Sequence, residues 1–428
     1  MAELAQRSLS AVWHPCTQMK QHERFPLVAI ERAEGAWLYE ADGHRLLDAV
    51  SSWWVNLLGH GQPDIKAALH DQLEKLEHVM LAGFTHEPVV ALSERLARLA
   101  PGDLGHCFYA SDGASAVEIA LKMSFHFWAN RGGVGKTRFA MLENGYHGET
   151  LGALSVTDIA SFRSTYAPLL PAADRVPTPA PRQGESRTDA AERAAAALAR
   201  HFERHAERTA ALIVEPLVQC AGGMAMYDAE YLRAARKLCT RFRVHLIADE
   251  IAVGFGRTGT FFASEQADIV PDFLCLSKGV TGGFLPLSLV MTTPEVYAAF
   301  YDDRIDRGFL HSHSYSGNAL ACRAAVAVLD VLARDRVLER NRATCDWTNR
   351  RCETLRSHPA VRDFRNTGMI WAFEAADLDL GPAFCERARR AGVLLRPLGN
   401  TIYWMPPYCV GMEEMEFLVT AVEKLLLP

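Results

Sequence analysis

Leu246-Ile-Ala-Asp-Glu-Ile-Ala-Val-Gly-Phe-Gly-Arg-Thr-Gly259 and Leu274-Cys-Leu-Ser-Lys-Gly279 are the two stretches that decide the fold. Each begins as a short apolar run, which is typical of a buried parallel strand. Each ends in polar residues, at the edge where an open α/β sheet binds its ligand. The first delivers the carboxylate of Asp249 and the second the amine of Lys278. The pair suits pyridoxal phosphate, which needs a Schiff-base lysine and an acid beside its ring nitrogen. For the pair alone, a strand-end salt bridge is the alternative.

The composition is that of a chain with room for a large core. It has 428 residues, of which 49% are hydrophobic, and its formal net charge is −6. The sequence shows no basic block, no run of membrane-spanning length and no signal-peptide-like stretch, so we expect neither nucleic acid nor membrane as a partner. The ten cysteines have no metal-binding spacing. We therefore expect free thiols, no bound metal and a cytoplasmic protein.

Alternating strand and helix patterns predict an α/β fold with a mostly parallel sheet flanked by helices. A helix that begins near Asn318 is expected to lead into a smaller α+β domain. The predicted division is a segment 1–60 that contributes to the small domain and the active-site wall, a large cofactor-binding domain 61–317, and a small domain 318–428. The predicted strands of the large domain are 107–110, 138–142, 153–156, 211–214, 244–248 and 273–276.

Four other segments have a predicted form. Residues 1–35 are expected to be irregular, and 35–48 reads as a hairpin that turns at Asp42-Gly43. Residues 166–188, rich in proline and polar residues, are expected to form a surface loop. Residues 130–137 imitate a phosphate-binding P-loop, but Asn130 replaces the first glycine and a strand follows, so we interpret them as a helix-to-strand turn.

Three further strand ends carry residues that suit the same cofactor. Ser111-Asp-Gly-Ala-Ser115 leads into a helix and predicts a phosphate site, although an ordinary N-cap would look similar. Glu143-Asn-Gly-Tyr-His-Gly148 offers Tyr146 to stack on a ring, although a core tyrosine in a glycine-rich turn is an equal interpretation. Glu215-Pro-Leu-Val-Gln219 adds polar groups that can tune a phenolic oxygen.

The order of these motifs resembles the class III, or ω-type, aminotransferases of fold type I over nearly the whole chain. That resemblance implies a large and a small domain, pyridoxal 5′-phosphate as cofactor and a homodimer. It implies that Lys278 forms the Schiff base and that Asp249 and Tyr146 complete the catalytic set. The implied cofactor-binding residues are Gly113, Ala114, Tyr146, Asp249, Ile251, Lys278 and Ser314, the last reaching the phosphate of the other subunit.

Four stretches favour one branch of that family: Trp13–Thr17, Ser51–Trp54, Tyr146–Gly148 and Arg396–Tyr403. The resemblance implies 8-amino-7-oxononanoate as acceptor and S-adenosyl-L-methionine as donor. Such a long keto acid needs aromatic walls and one cation for its carboxylate. The implied substrate-binding residues are Trp53, Trp54, Tyr146, Gly279, His313 and Arg396.

The sequence departs from the pattern at a few positions and leaves other functions open. Cys16 stands where this branch often has a gating tyrosine, and Glu149 stands where it has aspartate. Another ω-aminotransferase acting on ornithine, 4-aminobutyrate or a β-amino acid is the alternative enzyme. A catalytically silent scaffold and a nucleotide-binding protein using residues 132–137 are the alternatives from other classes.

Overall fold

The computed structural model describes residues 2–133, 135–376 and 378–427, which form two compact units. One unit comprises Met1–Pro63 with Glu339–Pro428, and the other comprises Asp64–Leu338. The second unit extends past 317, where the sequence suggested the boundary, because helix Ala319–Arg334 packs against helix Glu87–Leu99. We call the first the two-segment unit and the second the central unit.

The central unit is built on a sheet of seven strands. In chain order they are β1 (His106–Ala110), β2 (Arg138–Leu142), β3 (Ala173–Val176), β4 (Thr209–Val214), β5 (His245–Asp249), β6 (Phe273–Leu276) and β7 (Ser288–Thr292). Their spatial order is β1-β7-β6-β5-β4-β2-β3. Strand β7 runs antiparallel to both neighbours, and every other pair is parallel. The predicted mostly parallel sheet is confirmed.

The middle strands of this sheet are rich in apolar residues, as is typical of a parallel sheet covered by helices. Every residue of β4, β5 and β6 is buried. Helix Gly113–Asn130 packs its apolar residues on the sheet, and Ile119 and Phe127 belong to the same core cluster as Ile213. The helices that lie in this unit, or enter it at Pro63, are Pro63–Leu73, Glu87–Leu99, Gly113–Asn130, Leu151–Ser155, Ala160–Arg163, Arg187–His205, Ala229–Phe242, Pro294–Ala298 and Ala319–Arg334.

The two-segment unit draws one sheet from both parts of the chain. Strands Ile30–Glu34, Trp37–Glu40, Arg45–Asp48 and Val393–Leu394 lie in that order, and only the last pair is parallel. The predicted hairpin is confirmed, with Gly43 at its turn at φ 89°. A second sheet contains Val361–Thr367, Ile370–Ala375 and Thr401–Trp404. The helices are Ala2–Ala11, the single turn Ser51–Trp54, Val337–Arg351, which enters from the central unit, Glu353–Arg356, Pro382–Arg390 and Met412–Leu425.

Three sequence expectations were wrong about local structure. The segment 1–35 contains helix Ala2–Ala11 and strand Ile30–Glu34, so it is not irregular. The expected strand at 153–156 is the end of helix Leu151–Ser155, because a short apolar run fits a buried helix as well as a strand. The expected loop 166–188 contains β3 at Ala173–Val176, which pairs with β2.

The imitation P-loop has the local structure expected of it. Helix Gly113–Asn130 ends and β2 begins on either side of the imitation P-loop, as a helix-to-strand turn requires, although Val134 lies outside the description. All ten cysteines fall in the described ranges, and none forms a disulfide. Among the helices described, none has the length and apolar character to cross a membrane.

Candidate active site

Three adjacent strands of the central sheet end in chemically useful residues. β5 ends at Asp249, Lys278 follows the end of β6, and Glu215 follows the end of β4. These strands are neighbours and parallel, so their carboxyl ends emerge at one edge of the sheet. Neighbouring strands are about 4.8 Å apart, which brings the three segments side by side. The sequence expectation that an acid and an amine share this edge therefore has its geometric basis.

Asp249 is 4% exposed and accepts two hydrogen bonds. One oxygen accepts from the backbone N–H of Ile251 at 3.1 Å, and the other lies 2.7 Å from His147 Nδ1. Donors on both oxygens fix the orientation of this carboxylate at the edge of the sheet. His147 lies in the Glu143–Gly148 motif, which by itself indicates no role for it. Its position directly after Tyr146, in the segment that follows β2, was the only available signal.

Lys278 begins a short 3-10 turn, Lys278–Thr281, with its own φ at 39°. This left-handed conformation is unusual for a residue with a side chain and is typical of functional positions. Burial lowers the pKa of the Lys278 amine, while the nearby Asp249 carboxylate opposes that shift. A lowered pKa raises the fraction of neutral, nucleophilic amine near neutral pH.

Glu215 follows the neighbouring strand β4 and is also buried. Its carboxylate accepts from the backbone N–H groups of Tyr146 and Cys220, both at 2.9 Å. Burial raises the pKa of Glu215 to about 7, against the opposing effect of His147. Gln219, at the end of the same segment, is fully buried and donates to the Glu143 carbonyl at 2.8 Å. The Glu215–Gln219 segment thus braces the loop that carries Tyr146 and His147.

The segment after β1 forms the N-terminus of the 18-residue helix Gly113–Asn130. Asp112 caps it by accepting from Ser115 N–H at 2.9 Å. The N–H groups of Gly113 and Ala114 belong to the first turn of the helix, so they have no carbonyl partner within it. The helix dipole favours an anion at this end. A Cβ built on Gly113 would lie 3.1 Å from Ile251 side-chain atoms. Gly113 and Ile251, both predicted cofactor residues, are therefore in close contact.

Tyr146 is half-buried, and its hydroxyl donates to Glu149 Oε1 at 2.9 Å. Its ring lies 5.4 Å from the ring of Phe162. Ile251 is 9% exposed and belongs to the core cluster around helix Gly113–Asn130. Glu149, one of the departures from the family pattern, thus contacts the Tyr146 side chain directly.

The remaining predicted residues of the central unit lie in two loops. Gly279 is buried directly after Lys278. His313 is half-buried, with its Nε2 3.2 Å from His311 Nε2. Ser314 is exposed, and its carbonyl lies 2.8 Å from His78 Nε2, which gives the backbone of this loop a defined contact.

In the two-segment unit, Trp53 and Arg396 meet. Strands Arg45–Asp48 and Val393–Leu394 are parallel, with Asp48 opposite Leu394, so the chain leaves both strands at the same edge. The guanidinium carbon of Arg396 lies 4.3 Å from the centre of the Trp53 ring, and Arg396 also donates to the Cys16 carbonyl at 3.0 Å. An aromatic face beside an exposed cation is what a long chain ending in a carboxylate requires.

Trp54 differs from its neighbour. It is 4% exposed, against 43% for Trp53, and its Nε1 donates to Tyr403 Oη at 3.1 Å. Both were expected in the substrate wall, but only Trp53 of the pair is exposed in this structure. The separation arises because Ser51–Trp54 is a left-handed turn with φ between 45° and 74° at all four residues. Such a backbone costs roughly 1–2 kcal/mol per residue that is not glycine.

The groups at the edge of the central sheet fit pyridoxal phosphate. A buried aspartate, a lysine with a lowered pKa and a helix N-terminus match its ring nitrogen, aldehyde and phosphate. His147 Nε2 is buried without a hydrogen-bond partner among the described residues. Within those residues, there is no group of three or more His, Cys, Asp or Glu that could hold a metal.

Comparison with known proteins agrees with this site. The family model for class III aminotransferases matches residues 18–426, and the chain belongs to that family. The predictions of a fold type I aminotransferase and of pyridoxal phosphate as the family cofactor are thereby confirmed.

Particular relatives are named for one reaction. The adenosylmethionine-8-amino-7-oxononanoate aminotransferase of Helicobacter pylori is 45% identical, over 99% of this chain and 97% of its own. The solved structure of the same-named enzyme from Methanocaldococcus jannaschii has a TM-score of 0.93 at 33% identity, covering 99% and 98% of the two chains. A PLP-bound amine transaminase from an uncultivated Pseudomonas species has a TM-score of 0.90 at 31% identity, covering 97% and 98%.

Proposed function

We propose that this chain transfers an amino group from S-adenosyl-L-methionine to 8-amino-7-oxononanoate, which forms 7,8-diaminononanoate in biotin biosynthesis. The observation that carries the proposal is the Trp53–Arg396 pair, an apolar face next to a cation at 4.3 Å. It agrees with the named reaction of the relative that is 45% identical. The pair suits an acceptor with a long methylene chain and a terminal carboxylate, since each buried CH₂ contributes about 0.8 kcal/mol.

Bound pyridoxal phosphate would act as the electron sink that makes the substrate α-proton acidic. Lys278 would hold the cofactor and move the proton, because an amine with a lowered pKa can serve as nucleophile and as base. Asp249, braced by His147, would keep the ring nitrogen protonated. Gly113 and Ala114 would bind the phosphate at the helix N-terminus.

The remaining predicted residues would bind the ring and the substrates. Tyr146 and Ile251 would press on the two ring faces, with the Tyr146 hydroxyl oriented by Glu149. Arg396 would bind the acceptor carboxylate, and Trp53 would cover the acceptor chain. The face of Trp53 would also suit the sulfonium of the donor, since aromatic faces attract cations.

We also propose a cytoplasmic homodimer in which Ser314 reaches the cofactor phosphate of the other subunit. Ser314 is exposed on a loop whose backbone is held by His78, so its hydroxyl is available to a second chain. A symmetric pair is the commonest assembly of soluble oligomers. The ten unpaired cysteines agree with a reducing compartment.

The test is a pair of single half-reactions followed by cofactor absorbance. S-adenosyl-L-methionine should convert the purified protein to the pyridoxamine form, and 8-amino-7-oxononanoate should then convert it back. Lys278→Ala should bind the cofactor without a covalent link and complete neither step. A wild-type protein that ignores both compounds but accepts ornithine or 4-aminobutyrate would establish the alternative ω-aminotransferase. The TM-score of 0.90 to an amine transaminase makes that panel necessary.

A further inference from the structure

We infer that His60 is a positioning residue for the acceptor. Together with Asp48, it holds the left-handed turn Ser51–Trp54 and so fixes the exposed face of Trp53 beside Arg396. The inference rests on the proposed function, in which that face covers the acceptor chain. It concerns only residues of the two-segment unit.

The network begins at Asp48, whose carboxylate is fully buried. One oxygen accepts from Ser52 N–H at 2.9 Å, and the other accepts from the Ser52 hydroxyl at 2.7 Å. His60 Nε2 lies 3.0 Å from that second oxygen, and His60 Nδ1 lies 2.8 Å from Asn56 Nδ2. An amide nitrogen can only donate, so Nδ1 accepts and Nε2 carries the proton that binds Asp48. The imidazole is thereby fixed in one tautomer.

The turn needs such support because its backbone is disfavoured. Ser51, Ser52, Trp53 and Trp54 all have positive φ, and none is glycine. Its two ends are tied by Ser51 Oγ to the Met405 carbonyl at 2.7 Å and by Trp54 Nε1 to Tyr403 Oη. Its middle is tied to Asp48 through Ser52. A buried carboxylate is a reliable anchor only when its oxygens have enough donors, and His60 supplies the third.

The anchor is rigid because Asp48 lies in an inner strand. Arg45–Asp48 is flanked by Trp37–Glu40 on one side and Val393–Leu394 on the other. Arg396 follows the strand Val393–Leu394, which pairs with Arg45–Asp48. The same pair of strands therefore supports both members of the Trp53–Arg396 pair. If the turn relaxed to a right-handed or extended backbone, the direction of Trp53 relative to Arg396 would change. The loss would therefore fall on the acceptor and not on the cofactor.

Four variants distinguish loss of the His60–Asp48–Ser52 hydrogen bonds from a general loss of stability. His60→Ala removes one donor from Asp48. Ser52→Ala and Ser52→Gly both remove the hydroxyl, but only glycine accepts a positive φ without strain. Glu40→Gln is the matched control, since Glu40 is a 3% exposed acid on the adjacent strand, bound to Arg389 at 2.8 and 3.0 Å.

Two readouts are needed. The first is ¹⁹F NMR of protein labelled with 5-fluorotryptophan, in which Trp53→Phe assigns the Trp53 resonance. The second is the KM for 8-amino-7-oxononanoate, with kcat and the cofactor spectrum. We expect His60→Ala and Ser52→Ala to shift or broaden the Trp53 resonance and to raise the acceptor KM about tenfold, with kcat nearly unchanged. Ser52→Gly should have a smaller effect than Ser52→Ala. Glu40→Gln should lower the Tm without moving either readout.

A Trp53 resonance that stays in place in both His60→Ala and Ser52→Ala would overturn the inference. So would a Glu40→Gln variant that raises the acceptor KM as much as His60→Ala does. If His60→Ala fails to fold, the order of Ser52→Ala and Ser52→Gly decides, and equal effects would count against a strained turn. A wild type that does not use 8-amino-7-oxononanoate, while the Trp53 resonance moves as described, would overturn the proposed substrate and support the inference.

Discussion

At the scale of single residues, substitution of Arg396 should slow one half of the proposed reaction more than the other. Its guanidinium stacks on Trp53 and is exposed, so a substrate carboxylate can reach it. Arg396→Ala should lower kcat/KM of the acceptor half-reaction about 100-fold, near 2.7 kcal/mol, because it removes a charge-assisted contact. The donor half-reaction should change much less. Single-turnover absorbance of each half measures both.

Arg390→Ala is the control for that variant, since Arg390 is exposed on helix Pro382–Arg390 and pairs with Glu386. It should leave both half-reactions unchanged. Equal losses in the two half-reactions of Arg396→Ala would contradict the assignment of this arginine to the acceptor.

Glu250 gives a prediction about pH. It is 1% exposed and accepts from Ala263 N–H, Ser264 N–H and the Ser264 hydroxyl. Burial raises its pKa from 4.5 to about 7. Between these values the folded state binds more protons than the unfolded state, so its contribution to stability falls as pH rises. Glu250→Gln cannot titrate there. The advantage of the wild type over this variant should therefore shrink by on the order of 2–3 kcal/mol between pH 5 and pH 7.

Thermal unfolding at pH 5, 6, 7 and 8 checks this prediction. Any loss of stability that the glutamine causes equally at every pH leaves the slope of the stability difference against pH unaffected. Glu413→Gln, at an exposed position, corrects for the pH response of the rest of the chain. A gap between wild type and Glu250→Gln that widens with pH would show that the folded-state pKa of Glu250 is not raised.

At the scale of elements, the close packing of Ile251 on the N-terminus of helix Gly113–Asn130 depends on the absence of a side chain at Gly113. A Cβ at position 113 would lie 3.1 Å from Ile251, which must then move by a few tenths of an ångström. Gly113→Ala should therefore raise the cofactor dissociation constant about tenfold, or 1.4 kcal/mol. The Tm without cofactor should not fall, since alanine favours the helix. Cofactor titration by absorbance measures the constant.

Gly105→Ala is the matched control, because its added Cβ would meet nothing nearer than the Asp103 carbonyl at 3.8 Å. It should leave cofactor affinity unchanged. An unchanged affinity in Gly113→Ala would mean that Ile251 does not press on the ring.

Elements with clear periodicity were predictable from the sequence. Strands Arg138–Leu142 and Phe273–Leu276 have the predicted bounds, because a buried apolar strand carries its pattern locally. The positions of Asp249 and Lys278 at one edge of the sheet were predictable because both lie at the carboxyl ends of apolar strands. The turn at Ser51–Trp54 was not, since its backbone opposes local preference and is imposed by Asp48, Met405 and Tyr403. The role of His147 was hidden for a similar reason, because its partner Asp249 lies about a hundred residues away.

At the scale of the whole molecule, the proposed dimer should couple assembly to cofactor affinity. If Ser314 completes the phosphate site of the other subunit, diluting the protein until it dissociates should weaken cofactor binding. Ser314→Ala should weaken it several-fold at every concentration, by loss of about one hydrogen bond. Sedimentation velocity and cofactor absorbance over one dilution series measure both quantities.

Ser312→Ala, at an exposed position on the same loop, is the control and should bind the cofactor like the wild type. A protein that sediments as a fully active monomer would contradict the dimer. A Ser314→Ala variant with wild-type affinity would contradict the role of this hydroxyl.

Because the two-segment unit is built from two distant parts of the chain, its strands are synthesised at different times. Strand Arg45–Asp48 emerges from the ribosome early, but its parallel partner Val393–Leu394 emerges only after the whole central unit. At roughly 5–20 residues per second, that interval lasts tens of seconds. Throughout it, the apolar Leu46 and Leu47, buried in the finished protein, lie in a strand with one open edge. Until Val393–Leu394 is made, this edge of Arg45–Asp48 has no partner strand, and a chain that terminates before 393 lacks that partner altogether.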